Sequence, residues 1–237
     1  FSTSVIQRGQ TGIAQHVFAL LRALGELPVP PKLFLFVLED DRPLFSFAKD
    51  QAQLIPVSEA FRAPLANILW HQAVLPRLAR EFQLDVLHVP SYRRLLWPRP
   101  CPLVATINDL APFRVPKKYD WLRMIYGRSI VARLIWRQDE VIAISHNTAR
   151  DIRQFFQLPA ERISVIGNGV DHDRFFPGSR DKAKTGLGRR YGLRGPFFLY
   201  VARLEHPGKN HVRLIAAFNR FKTETKSSWQ LVLAGGD

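Results

Sequence analysis

Short apolar runs alternate with helical patterns along the 237 residues. KLFLFVL, QLIPV, DVLHVP, PLVATI, EVIAIS, RISVIG, PFFLYVA and WQLVLAG are short, rich in β-branched residues and apolar at successive positions. Strands buried on both faces of a parallel sheet read this way. Between them the pattern predicts helices near 12–25, 65–82, 119–137, 146–156 and 209–225. In the first, Ile13, Val17, Leu20, Leu21 and Leu24 fall at helical spacing, so that face belongs to the core. Thr11 or Gly12 can open it, and Ser145 can cap the helix that begins HNTARDI. FSTSVI, at the start, reads as a further strand. The alternation predicts a doubly wound α/β fold.

The pattern breaks at 177–195. GSRDKAKTGLGRRYGLRG is rich in glycine and charge and poor in large apolar residues, so it reads as a linker. Before it lies a complete α/β domain, 1–176. After it come one strand, one helix and one strand, 196–237, which cannot bury their own sheet faces. The expectation is two Rossmann-like domains, the second truncated.

Candidate chemistry concentrates late in the chain. In PFFLYVARLEHPGKNHVRLIAAF a buried strand leads through a loop into an amphipathic helix, and Arg203 and Lys209 stand just before the helix amides. Two cations beside a helix amino end suit a phosphate or diphosphate. Upstream, Gly12 lies in QTGIAQ, where a glycine lets the backbone approach a ligand closely. Asn108 and Asp109 follow the strand PLVATI, where the first can hydrogen-bond a ligand hydroxyl and the second can bond local amides. Gly167, Asn168 and Gly169 are expected to form a tight turn after RISVI, with Asp171 satisfying backbone groups nearby. Ser145 can add a hydroxyl to a cleft or serve as a cap.

Five stretches, in order, resemble the retaining glycosyltransferases of family four, which have the GT-B fold. They are RGQTGIAQHVFALLRAL at 8–24, then DVLHVP with VATINDLAPFRVP, EVIAISHNTARDI, NGVD with its following Phe and Pro, and LYVARLEHPGKN with LVLAGGD. The resemblance implies transfer of a sugar from a nucleoside-diphosphate donor to an acceptor hydroxyl with retention, in a cleft between two domains. It gives Arg203 and Lys209 the donor diphosphate, with Gly12 near the phosphates or acceptor. Many members have a histidine where Asn108 stands, and an asparagine cannot act as acid or base. Two glutamates that the family carries further on lie beyond Asp237, so the chain alone is expected to bind nucleotide sugar weakly.

Composition narrows this reading. No apolar run reaches the roughly 18 residues of a membrane span, and the single cysteine, Cys101, cannot form an internal disulfide. A cytoplasmic enzyme is expected. The net charge of +14 calls for an anionic partner. Residues 114–137 hold seven Lys/Arg against one acid, mixed with Tyr119, Trp121, Tyr126 and Trp136. This predicts a basic, aromatic face for anionic lipid headgroups on the inner side of a membrane. No nucleic-acid-binding motif accompanies the charge. Asp171-His172-Asp173 matches a metal-holding D-x-D, but its setting is the NGVD turn; His206 and His211 lack the set of acid or cysteine partners that a zinc site needs, and no metal or cofactor is expected. The expected partners are a nucleotide sugar, a glycan or lipid-linked acceptor and an anionic membrane surface, in exopolysaccharide or lipopolysaccharide assembly. The competing reading is a non-catalytic fragment that binds acceptor or membrane.

Overall fold

A computed structural model describes residues 1–114, 129–193, 195–206 and 208–236. The chain divides into two compact units, Phe1–Asp171 and His172–Asp237.

The first unit is a parallel α/β sheet. Strands β1 (Leu33–Leu38) and β2 (Ala52–Val57) pair in parallel, and β3 (Leu87–Val89), β4 (Leu103–Ile107), β5 (Glu140–Ala143) and β6 (Ile163–Val165) pair in that order, also in parallel. Residues 1–4 join the two groups. Ser2 donates its amide to the His88 carbonyl at 3.1 Å, Thr3 to that of Phe36 at 3.2 Å, and Phe36 to that of Phe1 at 3.0 Å. The hydrogen-bonded order is therefore β2, β1, residues 1–4, β3, β4, β5, β6. The order reverses beside the amino-terminal segment, where open α/β sheets place their ligands, outside the carboxyl ends of the strands.

Strand alternation sorts the side chains into layers. Leu33, Leu35 and Val37 pack with Ala14, Val17 and Leu21 of α1 (Gly12–Gly25). Phe36, Leu38, Leu87 and Val89 face the opposite way, against Trp70 of α2 (Pro64–Ala73) and Leu75 and Ala79 of α3 (Leu75–Glu81). On that same side Ala105, Ile107, Val141 and Ala143 meet α5 (Val131–Ile135) and α6 (His146–Phe156), and a single turn, α4 (Ala111–Arg114), follows β4. The single helix expected at 65–82 is two, parted at Val74. Pro76 has no amide proton, and its ring would meet the carbonyl four residues back.

The second unit contains α7 (Arg180–Tyr191), β7 (Phe197–Val201), α8 (His211–Thr225) and β8 (Gln230–Ala234), with β7 and β8 parallel. Where a linker was expected, α7 is a helix. The Ser179 hydroxyl accepts the Lys182 amide at 3.4 Å, and Gly192 ends the helix at φ +69. Its Arg, Lys, Ala and Leu residues are strong helix formers that outweigh Gly186 and Gly188. Every described residue of this unit is at least partly exposed, including Phe198, Leu199, Val201 and Trp229 on or beside its strands. One βαβ unit leaves its sheet faces uncovered, as expected.

Candidate functional site

In the first unit the expected residues gather at the carboxyl ends of the strands. Residues 1–4 lead into Gln7, Arg8 and Gly9, all with left-handed backbone (φ 48, 56 and 78). Only glycine takes that region freely, so two of these three residues are strained. Thr11 then caps α1: its hydroxyl accepts the Ala14 amide at 3.2 Å and donates to the Ile6 carbonyl at 3.4 Å. At Gly12 the backbone is ordinary, and an added Cβ would meet no atom within 4 Å. The protein's own packing does not require a glycine there.

Asn108 sits one residue past β4, half-buried, and its Nδ2 is buried without a hydrogen-bond partner. Its carbonyl lies 3.5 Å from the Thr148 hydroxyl. Thr148 in turn meets Ser145, 3.0 Å between hydroxyls, and gives its amide to Ser145 Oγ at 3.1 Å. Ser145 is thus the cap of α6, and its cap partner touches the Asn108 backbone. Asp109 is exposed.

The segment after β6 departs from expectation. Gly167, Asn168 and Gly169 form no tight turn; neither glycine has a positive φ, and the turn falls at 172–174. Residues 166–171 instead pass along α1. A Cβ on Gly169 would stand 3.4 Å from that of Ala19, and Asp171 pairs with Arg22 at 3.7 Å. Contact with the helix holds this stretch, so no local turn is needed. Asn168 is exposed.

Behind this rim lies a line of buried polar groups that sequence reasoning missed. His71 of α2 bonds Ser2 Oγ at 2.8 Å and the Asn67 carbonyl at 2.7 Å. His88 of β3 bonds Thr106 Oγ1 at 2.7 Å. Burial is the main reason both imidazoles are pushed down to about 3, so both are neutral. His16 of α1 is 7% exposed, its pKa is lowered by burial, and its Nε2 has no partner. A lone polar residue in an apolar helix gives only a weak signal in sequence.

The second unit builds a separate site between β7 and α8. Arg203 donates to Glu205 Oε2 at 2.9 Å, with side chains 63% and 33% exposed. Lys209 gives its amide to the Glu205 carbonyl at 3.0 Å, and its own carbonyl accepts the Tyr200 hydroxyl at 2.5 Å. Asn210 takes the left-handed conformation (φ 51), and its side chain caps nothing. The first-turn amides of α8 therefore lack a side-chain cap and carry the positive end of the helix dipole. Sequence reasoning missed Gly235. A Cβ there would lie 1.9 Å from the Ala202 carbonyl oxygen and 3.3 Å from the Arg203 amide. The glycine of LAGGD is required because the loop carrying Arg203 crosses it at backbone contact.

Residues 115–128, the larger part of the expected basic, aromatic face, lie outside the described residues. Trp97 and Trp136 are described, and are exposed at 54% and 46%. Arg137 lies over the first ring at 4.9 Å and Arg162 over the second at 5.8 Å. Among the described residues no helix is long and apolar enough to cross a membrane, and no group of three or more His, Cys, Asp or Glu could hold a metal ion. A shallow hollow lined by Arg150, Arg153, Gln154, Gln157 and Leu158 lies on α6 and includes none of the expected site residues.

The model for Glycosyltransferase Family 4 matches residues 10–174. No curated protein matches the chain. Among solved structures the chain is similar to Anabaena Alr3699/HepE in complex with UDP and glucose, at 18% identity and a TM-score of 0.63, covering 93% of this chain and 57% of that one. It is similar to the lipopolysaccharide outer core galactosyltransferase WaaB in its apo form, at 16% identity and 0.55, covering 97% and 58%. A glycosyltransferase from Rickettsia africae ESF-5 matches at 15% identity and 0.50, covering 99% and 66%. At these identities the likeness is one of fold, the parallel α/β arrangement of GT-B enzymes. The chain spans 57% to 66% of the length of these three proteins.

Proposed function

The chain belongs to glycosyltransferase family 4, and from that premise we propose that it serves sugar transfer from a nucleoside-diphosphate sugar to an acceptor hydroxyl, with retention. One observation carries the reading. Arg203 and Lys209 stand on the loop that enters the uncapped amino end of α8, and Gly235 lets that loop lie against β8. In this reading the bond from the anomeric carbon to the diphosphate oxygen breaks and its electron pair stays on the diphosphate. The acceptor oxygen bonds the anomeric carbon from the same face, and its proton passes to the departing phosphate oxygen. The two cations and the helix amides stabilise charge that grows as the bond breaks, so they favour the transition state over the ground state.

Glu205 already pairs with Arg203. An exposed pair of this kind is worth about 1 kcal/mol or less, so a diphosphate can displace or share it. Asn108, with a free amide donor and no acid–base capacity, suits a sugar hydroxyl, and Asp109 stands beside it at the rim. Gly12 leaves room at the amino end of α1. The acceptor is a glycan or lipid-linked sugar, and the setting is polysaccharide assembly at the inner membrane face. The exposed Trp97 and Trp136, each under an arginine, support contact with anionic lipid. Co-sedimentation with anionic but not zwitterionic vesicles would bear out that contact.

The test is a transfer and hydrolysis screen of the enzyme that carries this chain against a panel of sugar nucleotides. UDP-sugars come first, because the Anabaena neighbour holds UDP and glucose. Turnover of none would end the reading.

A further inference from the structure

Buried polar atoms without partners are costly, and two of them lie on one face of the first unit. Leu87 and Val89 face α2 and α3, so His88 between them faces the α1 side. Leu103, Ala105 and Ile107 belong to the α2–α6 side, so Thr106 also faces α1, where its hydroxyl meets His88 at 2.7 Å. The same alternation, continued one residue past β4, puts Asn108 on this face. α1 packs on this side through Ala14, Val17 and Leu21, and His16 is buried on that helix one turn below its opening at Gly12, or about 6 Å along the axis. On this face, then, Asn108 Nδ2 is buried and unbonded, and so is His16 Nε2 on the helix that packs against that side.

The other buried atoms without a hydrogen bond have different surroundings. Asp41 Oδ1 lies 3.2 Å from Arg62 Nη2, and the Gln138 amide donates to Leu134 at 2.8 Å, ahead of β5 at the opposite end of the sheet. His211 belongs to the second unit. Leucine or phenylalanine at position 16 would fill the space without an unmet polar atom. An imidazole nitrogen buried there needs a partner that the protein does not supply.

We propose that His16, together with Asn108, holds hydroxyl groups of the carbohydrate substrate at the rim beside α1. The proposal rests on the glycosyltransferase reading above and adds a specificity-determining residue to it. An imidazole and a primary amide together offer both donors and acceptors, as a vicinal diol requires. The hydroxyls can belong to the sugar being transferred or to the acceptor.

The test compares His16→Leu and His16→Gln with the parent enzyme in two readouts, transfer kinetics and melting temperature. Loss of one hydrogen bond to a hydroxyl is expected to raise KM for one substrate about tenfold in His16→Leu, with partial recovery in His16→Gln. A rise in donor KM assigns the group to the transferred sugar, and a rise in acceptor KM to the acceptor. Melting temperature is expected to hold or rise, since an unmet polar atom has been removed. A lower melting temperature with unchanged kinetics would make His16 a structural residue and overturn the proposal. If the parent turned over no sugar nucleotide, the enzyme reading would fail by itself. His16 would then be judged by saturation-transfer NMR with methyl glucoside: a signal lost in His16→Leu supports the site, and an unchanged or absent signal removes it.

Discussion

Replacing Gly235 by alanine tests the second unit's site at its tightest contact. The new methyl carbon would stand 1.9 Å from the Ala202 carbonyl oxygen and 2.7 Å from its carbon. Non-bonded carbon contacts are comfortable at about 3.5 Å, so the two backbones must separate by more than about 1 Å. Two hydrogen bonds flank the clash: the Ala202 amide to the Ala234 carbonyl at 3.0 Å, and the Leu204 amide to the Gly236 carbonyl at 3.1 Å. Neither survives such a separation, and at about 1 kcal/mol each the local cost is about 1–3 kcal/mol. Because Gly235 has no positive φ, the cost is steric and not conformational. Arg203 lies between the two lost bonds and moves with them, and a displacement near 1 Å at a positioned charge can reduce turnover about 10²-fold. Hydrogen exchange reads the event directly: the amides of Ala202 and Leu204 are expected to lose protection while those within α8 keep theirs. Unchanged protection at both, with unchanged melting, would refute the argument.

Other outcomes follow from the same geometry. Arg203→Ala is expected to lower turnover by about 10²–10³, and near-normal turnover would remove it from the site. Glu205→Gln frees Arg203 from an exposed pair worth about 1 kcal/mol at most, so nucleotide affinity measured by calorimetry should tighten no more than about fivefold; a larger change would mean the pair is not solvent-screened. Ser145→Ala removes the cap of α6 and should cost about 1 kcal/mol in denaturant unfolding, with no loss if the cap is idle. His71 and His88, ordinarily near 6.5, sit at about 3 in the fold. The unfolded chain therefore binds more protons between those values, and stability falls as pH drops from about 6.5 toward 3. Between pH 7 and 5 each histidine should remove about 2 kcal/mol. Chemical unfolding at the two pH values checks this, and a flat profile would contradict their burial.

Much of the fold was legible because the pattern and the caps agreed. The helices at 12–25 and 146–156 start and stop where the hydrophobic spacing and the Thr11 and Ser145 caps put them. The eight apolar runs are recovered as strands to within a residue or two, whereas FSTSVI pairs only through residues 1–3 and turns at Ser4. What escaped was set by tertiary contact or by propensity without an apolar stripe. Helix α7 is polar all round, so only its cap and its helix-forming residues announce it. The stretch through Gly167 and Gly169 looked like a turn because glycine pairs so often are; packing on Ala19 and Arg22 holds it extended instead. His16 reads as the flank of an amphipathic helix until the sheet brings Thr106 and His88 to the same face. That Arg203 and Lys209 stand on a loop between a strand and a helix was readable from the pattern, whereas Gly235, 32 positions after Arg203 in the sequence, could be linked to that loop only once β7 and β8 had paired.

The threading of residues 1–4 through the middle of the large sheet bears on how the first unit assembles. Among the described residues the halves β2–β1 and β3–β6 share no ladder except through that segment, and its partner His88 is some 86 positions from Ser2. Contacts that distant in sequence form late and close large loops. Each half can gather its own helices early, yet the rim holding Asn108 and the opening of α1 takes shape only when the seam closes. The geometry of that rim therefore depends on a contact made across the whole first unit.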